Sequence, residues 1–294
     1  MKYLSTFLLI CLCTFSCQTS TDNQETDSSQ EMPTTNYERI VSLSGSITET
    51  LFAMGHGDKV VAVDVTSTYP AEALAEVPRL GHVRQLNIEG VMSQQPDLII
   101  LLKENEALPA VQQLKESGVE LLIVDSEDKY EAPIEIAKVL SEKIGGSQEK
   151  VAELEQRLMA QKSELEALVG ENPNRPKVLF IYARGTNNMM VAGTGTPAEE
   201  MIQMAGGQNA ITEFEGFKAL SAEGLIQAQP DYILMFESGL QSVGGTEPLM
   251  EVEGIQKTPA GQAQRIITMD GLKLLGFTPR IGDAALELAK KLKE

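Results

Sequence analysis

The chain has 294 residues, a formal net charge of −18, 42% hydrophobic residues, no tryptophan and three cysteines, Cys11, Cys13 and Cys17. That is enough apolar sequence for a folded body of ordinary size, and the acidity argues against nucleic acid or an anionic membrane surface as a partner. With every cysteine in the first 17 residues, the rest of the chain can form neither a disulfide nor a cysteine metal site.

In chain order, Met1-Lys2 precedes an uncharged run from Leu4 to Phe15, too short to span a membrane, and residues 1–16 read as a secretory signal. Its end, Ser16-Cys17, resembles the lipobox of bacterial lipoproteins, with Thr14 where Leu is usual. The resemblance makes Cys17 the expected lipidated first mature residue; Cys11, Cys13 or an ordinary cleaved signal are the alternatives. Gln18 to Asn36 is almost devoid of apolar side chains and cannot bury enough surface to fold, so 17–36 reads as a flexible tether.

From Tyr37 onward short apolar runs alternate with amphipathic stretches. Arg39–Leu43, Val60–Val65, Leu98–Leu102 and Leu121–Val124 are predicted strands, with helices near Ile47–Met54, Ile88–Ser93 and Leu108–Ser117. Farther on, Val178–Ala183, Tyr232–Phe236 and Arg265–Met269 are predicted strands. Such alternation predicts an α/β fold with mostly parallel sheets flanked by helices. Ser46-Ile-Thr-Glu49 and Thr196-Pro-Ala-Glu199 have the form of capping boxes, the second with proline at the first helical position.

The chain also contains itself twice. Glu89-Gly-Val-Met-Ser-Gln-Gln-Pro-Asp97 returns as Glu223-Gly-Leu-Ile-Gln-Ala-Gln-Pro-Asp231, and Gly45-Ser-Ile-Thr-Glu49 with Met54 and Gly57 returns as Gly195-Thr-Pro-Ala-Glu199 with Met204 and Gly207. A repeat of this length is a domain-sized unit, so two similar lobes, 37–131 and 173–294, are expected with a ligand cleft between them. The intervening 132–172 is expected to be helical. Within it, Val151, Leu154, Leu158, Leu165 and Leu168 keep a helical period over Ser147–Val169, about 35 Å of helix, which predicts one rigid strut joining the lobes.

Seven segments carry a family resemblance: Arg39-Ile-Val-Ser-Leu, Val63-Asp-Val-Thr-Ser-Thr-Tyr-Pro70, Asn87-Ile-Glu-Gly, Gln95-Pro-Asp-Leu-Ile, Ala192-Gly-Thr-Gly-Thr, Ala205-Gly-Gly-Gln-Asn-Ala and Leu275-Gly-Phe-Thr-Pro-Arg280. Together they resemble the haem-binding substrate-binding proteins of bacterial ABC transporters, which belong with the cobalamin- and siderophore-binding proteins. The resemblance implies a monomeric, lipid-anchored periplasmic carrier of haem that hands its ligand to a permease dimer with its ATPase. Cobalamin or a ferric siderophore on the same scaffold is the alternative.

The resemblance further implies that Tyr69 is the axial iron ligand, a hard oxygen donor suited to ferric iron. Haem propionates need cations, for which Arg84 and Arg184 are the candidates, each weighed against a solvated surface role. Arg280 is read instead as the start of the last helix. His82 is a candidate second ligand or a polar rim residue, and Met189 and Met190, expected on a loop after Arg184, could cover the other haem face or pack in the core. Glu89 and Glu223, at equivalent places in the two halves, are the expected docking pair for the transporter. Gly193-Thr-Gly195-Thr lacks the end of a P-loop, and no nucleophile stands with a base, so no catalysis is expected.

Overall fold

The computed structural model describes residues 36–146, 148–171 and 173–294; the predicted signal, nearly all of the tether and Cys17 lie outside them. The first lobe runs β1 (Ile40–Ser42), α1 (Gly45–Ala53), β2 (Val60–Val63), α2 (Ile88–Met92), β3 (Leu98–Leu102), α3 (Pro109–Glu116) and β4 (Glu120–Val124). Its four strands form one sheet in the order β2-β1-β3-β4, parallel at every pairing. Both faces of that sheet are covered, which is why Leu98, Ile99, Ile100 and Leu101 are all buried rather than alternating.

Two helices follow, α4 (Ala132–Ile144) and α5 (Gln148–Val169), separated at Gly145, whose φ of 75° suits glycine and ends α4. The predicted strut is α5, 22 residues and about 33 Å long. Val151, Leu154, Leu158 and Leu165 form its buried face.

The second lobe runs β5 (Lys177–Ala183), β6 (Met189–Ala192), α6 (Pro197–Met204), β7 (Gln208–Asn209), β8 (Phe217–Ala219), α7 (Ala222–Ala228), β9 (Tyr232–Phe236), α8 (Glu237–Ser242), α9 (Thr246–Met250), α10 (Pro259–Gln262), β10 (Ile266–Met269), α11 (Gly271–Leu275) and α12 (Ile281–Lys291). Its sheet has the order β10-β9-β5-β6-β8, with β7 also on β5. Here the sheet is mixed: β10, β9, β5 and β7 are parallel, whereas β6 runs antiparallel to both β5 and β8. The turn Arg184–Asn188 folds the chain straight back as a hairpin, which a helical crossover would not do.

The repeat maps onto equivalent parts. In each half it supplies a short helix, a Pro-Asp pair and the next parallel strand, α2 to β3 and α7 to β9. The repeated aspartates explain the match. Asp97 accepts the backbone N–H of Arg39 at 3.0 Å, just before β1, and Asp231 accepts that of Lys177 at 2.8 Å, at the start of β5.

One hydrophobic cluster runs through the strut, taking in Met54 of the first lobe, Tyr130, Ala132 and Ala137, the buried face of α5, and Val178, Phe180, Leu234 and Leu288 of the second lobe. The lobes thus share a core through α5 rather than hanging on a free linker.

Candidate functional site

In open α/β sheets ligands gather beyond the carboxyl ends of the parallel strands. The first lobe follows this rule at each strand: Leu43 to Ser46 after β1, Asp64 and Thr66 after β2, Leu102, Glu104 and Asn105 around the end of β3, and Ser126 to Asp128 after β4 line a common cavity. Across from them stand Pro197 at the start of α6 and Leu272, Leu275, Gly276 and Phe277 of the second lobe. The cavity holds about 260 Å³ and lies between the lobes.

His82 and Arg84 also line this cavity. The imidazole is fixed by its neighbour, since Arg84 N–H donates to His82 Nδ1 at 3.2 Å. Among the described residues the Arg84 guanidinium has no carboxylate partner, so its charge is available to a ligand. The floor behind them is a net of short hydroxyl side chains. Asp64 accepts from Thr66 Oγ1 at 2.8 Å and Ser67 Oγ at 2.9 Å, and Thr66 Oγ1 in turn accepts the N–H of Gly45. Burial pushes the Asp64 carboxyl up from its ordinary value, against the hydrogen bonds of Thr66 and Ser67 and the charge of His82.

Tyr69 does not line the cavity. It is 43% exposed, with the Arg280 guanidinium carbon 3.9 Å from its ring centroid. Arg280 starts α12, as its sequence context predicts, and it also forms a bidentate pair with Glu49. Burial works against its charge, yet the hydrogen bonds and charge of Glu49, then Asp270 and Tyr69, hold its pKa above the usual guanidinium value.

On the second lobe, Arg184 is exposed at the carboxyl end of β5, and its guanidinium carbon lies 5.5 Å from the ring centroid of Tyr182. Tyr182 meets Phe236 of β9 edge to face, at 6.0 Å and 90°. Sequence reasoning missed Tyr182, although a tyrosine and an arginine two apart at the end of a predicted strand were legible as Tyr182-Ala-Arg184. The two methionines are not on a loop. They belong to β6, and strand alternation sends Met189 into the core beside Ile181 and Val191, while half-buried Met190 lies opposite Tyr182 in register.

The cavity wall is otherwise acidic, with Asp64, Glu104, Glu127 and Asp128 on the first lobe. Burial, and then the charges of Glu104 and of Glu200 on α6, push Asp128 up to about 6. Away from the cavity, Glu89 and Glu223 are exposed in the first turns of α2 and α7, which Asn87 and Ser221 cap.

Two α/β lobes with a cavity between them are an arrangement suited to holding a small molecule. The chain belongs to the periplasmic binding protein family, whose pattern matches residues 40–271. Among relatives it is 26% identical over 260 residues to the uncharacterized ABC transporter substrate-binding lipoprotein YvrC of Bacillus subtilis, covering 86% of this chain and 79% of that one. It is 27% identical to the vitamin B12-binding protein of Vibrio vulnificus, over 73% of this chain and 77% of the other. Its fold is similar to the periplasmic heme-binding protein RhuT from Roseiflexus sp. RS-1, solved in apo form, with a TM-score of 0.81, 38% identity and coverage of 87% and 97%. The heme-binding protein BhuT, in complex with two hemes, gives 0.79, 33%, 88% and 98%. The heme-binding protein HmuT gives 0.79, 26%, 88% and 85%. HmuT has also been solved with alanine in place of a tyrosine and, separately, of an arginine two positions later.

Proposed function

We propose that this chain is the substrate-binding protein of an ABC importer and that it carries ferric haem between its lobes. The observation that carries the reading is a metal-donor side chain followed two residues later by an arginine that, among the described residues, has no carboxylate partner: His82-Val-Arg84 on the cavity wall of the first lobe and Tyr182-Ala-Arg184 at the end of β5 in the second. Imidazole and phenol are both axial haem donors, and two arginines on opposite lobes suit two propionates. A guanidinium beside a phenol also offsets the charge of the phenolate that metal binding creates. HmuT, altered at a tyrosine and at the arginine two positions on, supports the same pairing here.

In this reading Arg84 and Arg184 hold the propionates, His82 and Tyr182 stand toward the iron from the two lobes, and Met190 and Phe236 supply apolar surface. Tyr69 is the alternative donor. Glu89 and Glu223 are the contacts to the permease, and Cys17 is the membrane anchor.

Titration with hemin, followed by the visible spectrum, tests this. His82→Ala and Tyr182→Phe should each change the spectrum of the bound iron and weaken binding, with Tyr69→Phe close to the parent. Loss of the phenolate-to-iron band in Tyr69→Phe alone would make Tyr69 the donor. Cobalamin is the second reading, favoured by the acidic wall, whose carboxylates can accept from corrin amides, and by the Vibrio relative. Binding of cyanocobalamin and not hemin would establish it and remove the haem reading.

A further inference from the structure

The internal repeat sets Glu49 of α1 against Glu199 of α6, and the two carboxylates act differently. Glu199 turns back to its own helix start and accepts the Gly195 N–H at 2.7 Å, while Thr196 Oγ1 accepts the Glu199 N–H at 3.2 Å. Glu49 makes no such cap. Helix α1 begins at Gly45 without a side-chain cap, and Ser46 Oγ hydrogen-bonds Ser44 Oγ instead. Glu49 is diverted to the other lobe, where its Oε1 and Oε2 accept from Nε and Nη2 of Arg280 at 2.9 and 2.8 Å.

A carboxylate as buried as Glu49, 3% exposed, is stable only with such a partner. The same guanidinium lies on the Tyr69 ring, so Arg280 is held by the first lobe through both a carboxylate and a π face. The strut joins the knot, since Arg157 Nη2 donates to the Pro279 carbonyl at 2.9 Å. Directly before this point in the chain lie Leu272, Leu275, Gly276 and Phe277, the second lobe's wall of the cavity. At the other end of that wall, Leu272 reaches so close to Gly45 that a Cβ there would meet its Cδ1 at 2.5 Å.

We propose that Glu49, Arg280 and Tyr69 form a latch between the lobes that sets the aperture of the cleft, with Arg280 a positioning residue that holds the Leu272–Phe277 wall to the first lobe. A latch has a kinetic signature different from that of a ligand contact. Releasing it speeds both entry and exit of the ligand, whereas removing a contact speeds exit alone.

The test is a cycle of Glu49→Gln, Arg280→Gln and the double variant in the full chain, with hemin as the probe. Arg280→Gln alone leaves the Glu49 charge buried, so the double variant, which removes both charges, keeps the test open should that single fail to fold. Association and dissociation rates should both rise about ten-fold in the double variant, and no more than in either single, because coupled residues do not add. In ligand-free protein, hydrogen exchange should quicken over residues 64–70 and 272–280 and stay unchanged in β5. Parental exchange in both segments overturns the latch, as does a rise in the dissociation rate alone or strict additivity. Faster exchange in a protein whose parent binds no hemin would remove the haem reading and leave the latch standing.

Discussion

Asp128 shows how a single residue at the lobe junction ties stability to pH. Its folded pKa of about 6 lies above the ordinary 3.8, so the folded state holds the proton more tightly than the unfolded chain does. The stability it contributes is complete below about 3.8 and lost as pH rises through about 6. Asp128→Asn should therefore melt above the parent at pH 7.5 and level with it near pH 4, and thermal melts at the two pH values check this. His82 and Arg84, taken from the sequence as candidates in Gly81-His-Val-Arg, line the cavity, although they lie well beyond the end of β2 in the chain. The pair Glu49–Arg280 was not legible. Its members are 231 positions apart, and a local capping pattern offered Glu49 a nearer partner that tertiary structure overrode.

At the scale of elements, the two halves invite a direct comparison of helix starts. Thr196 caps α6 with its side chain, whereas Ser46 caps nothing in α1. Thr196→Ala should cost about 1 kcal/mol of stability, the usual effect of losing an N-cap, and denaturant unfolding with an unchanged slope would measure it. Most strands were legible because each is a short apolar run with turn residues at its ends; Leu98–Leu102 and Tyr232–Phe236 match residue for residue. The hairpin of β5 and β6 was not. Met189 to Ala192 is as apolar as a loop facing a ligand would be, and only its antiparallel pairing with β5 and β8 shows that it is sheet.

For the whole molecule, the repeat gives the two lobes matching outer corners. Glu89 and Glu223 stand exposed at equivalent helix starts, and the proposed contact of each with a permease subunit is open to test. Reversing both charges, Glu89→Lys with Glu223→Lys, should abolish uptake in cells while leaving hemin affinity within about two-fold, because neither residue lines the cavity. Unchanged uptake would leave the two glutamates as helix-dipole partners only.

The core that runs through α5 bears on how such a carrier is read by its partner. Lobes that share buried side chains cannot swing through a large angle without opening that core, so loaded and empty forms are expected to keep nearly the same outline. Occupancy then has to be announced at the mouth of the cleft, by whatever edge of the ligand is left visible there and by small shifts of the side chains that border it.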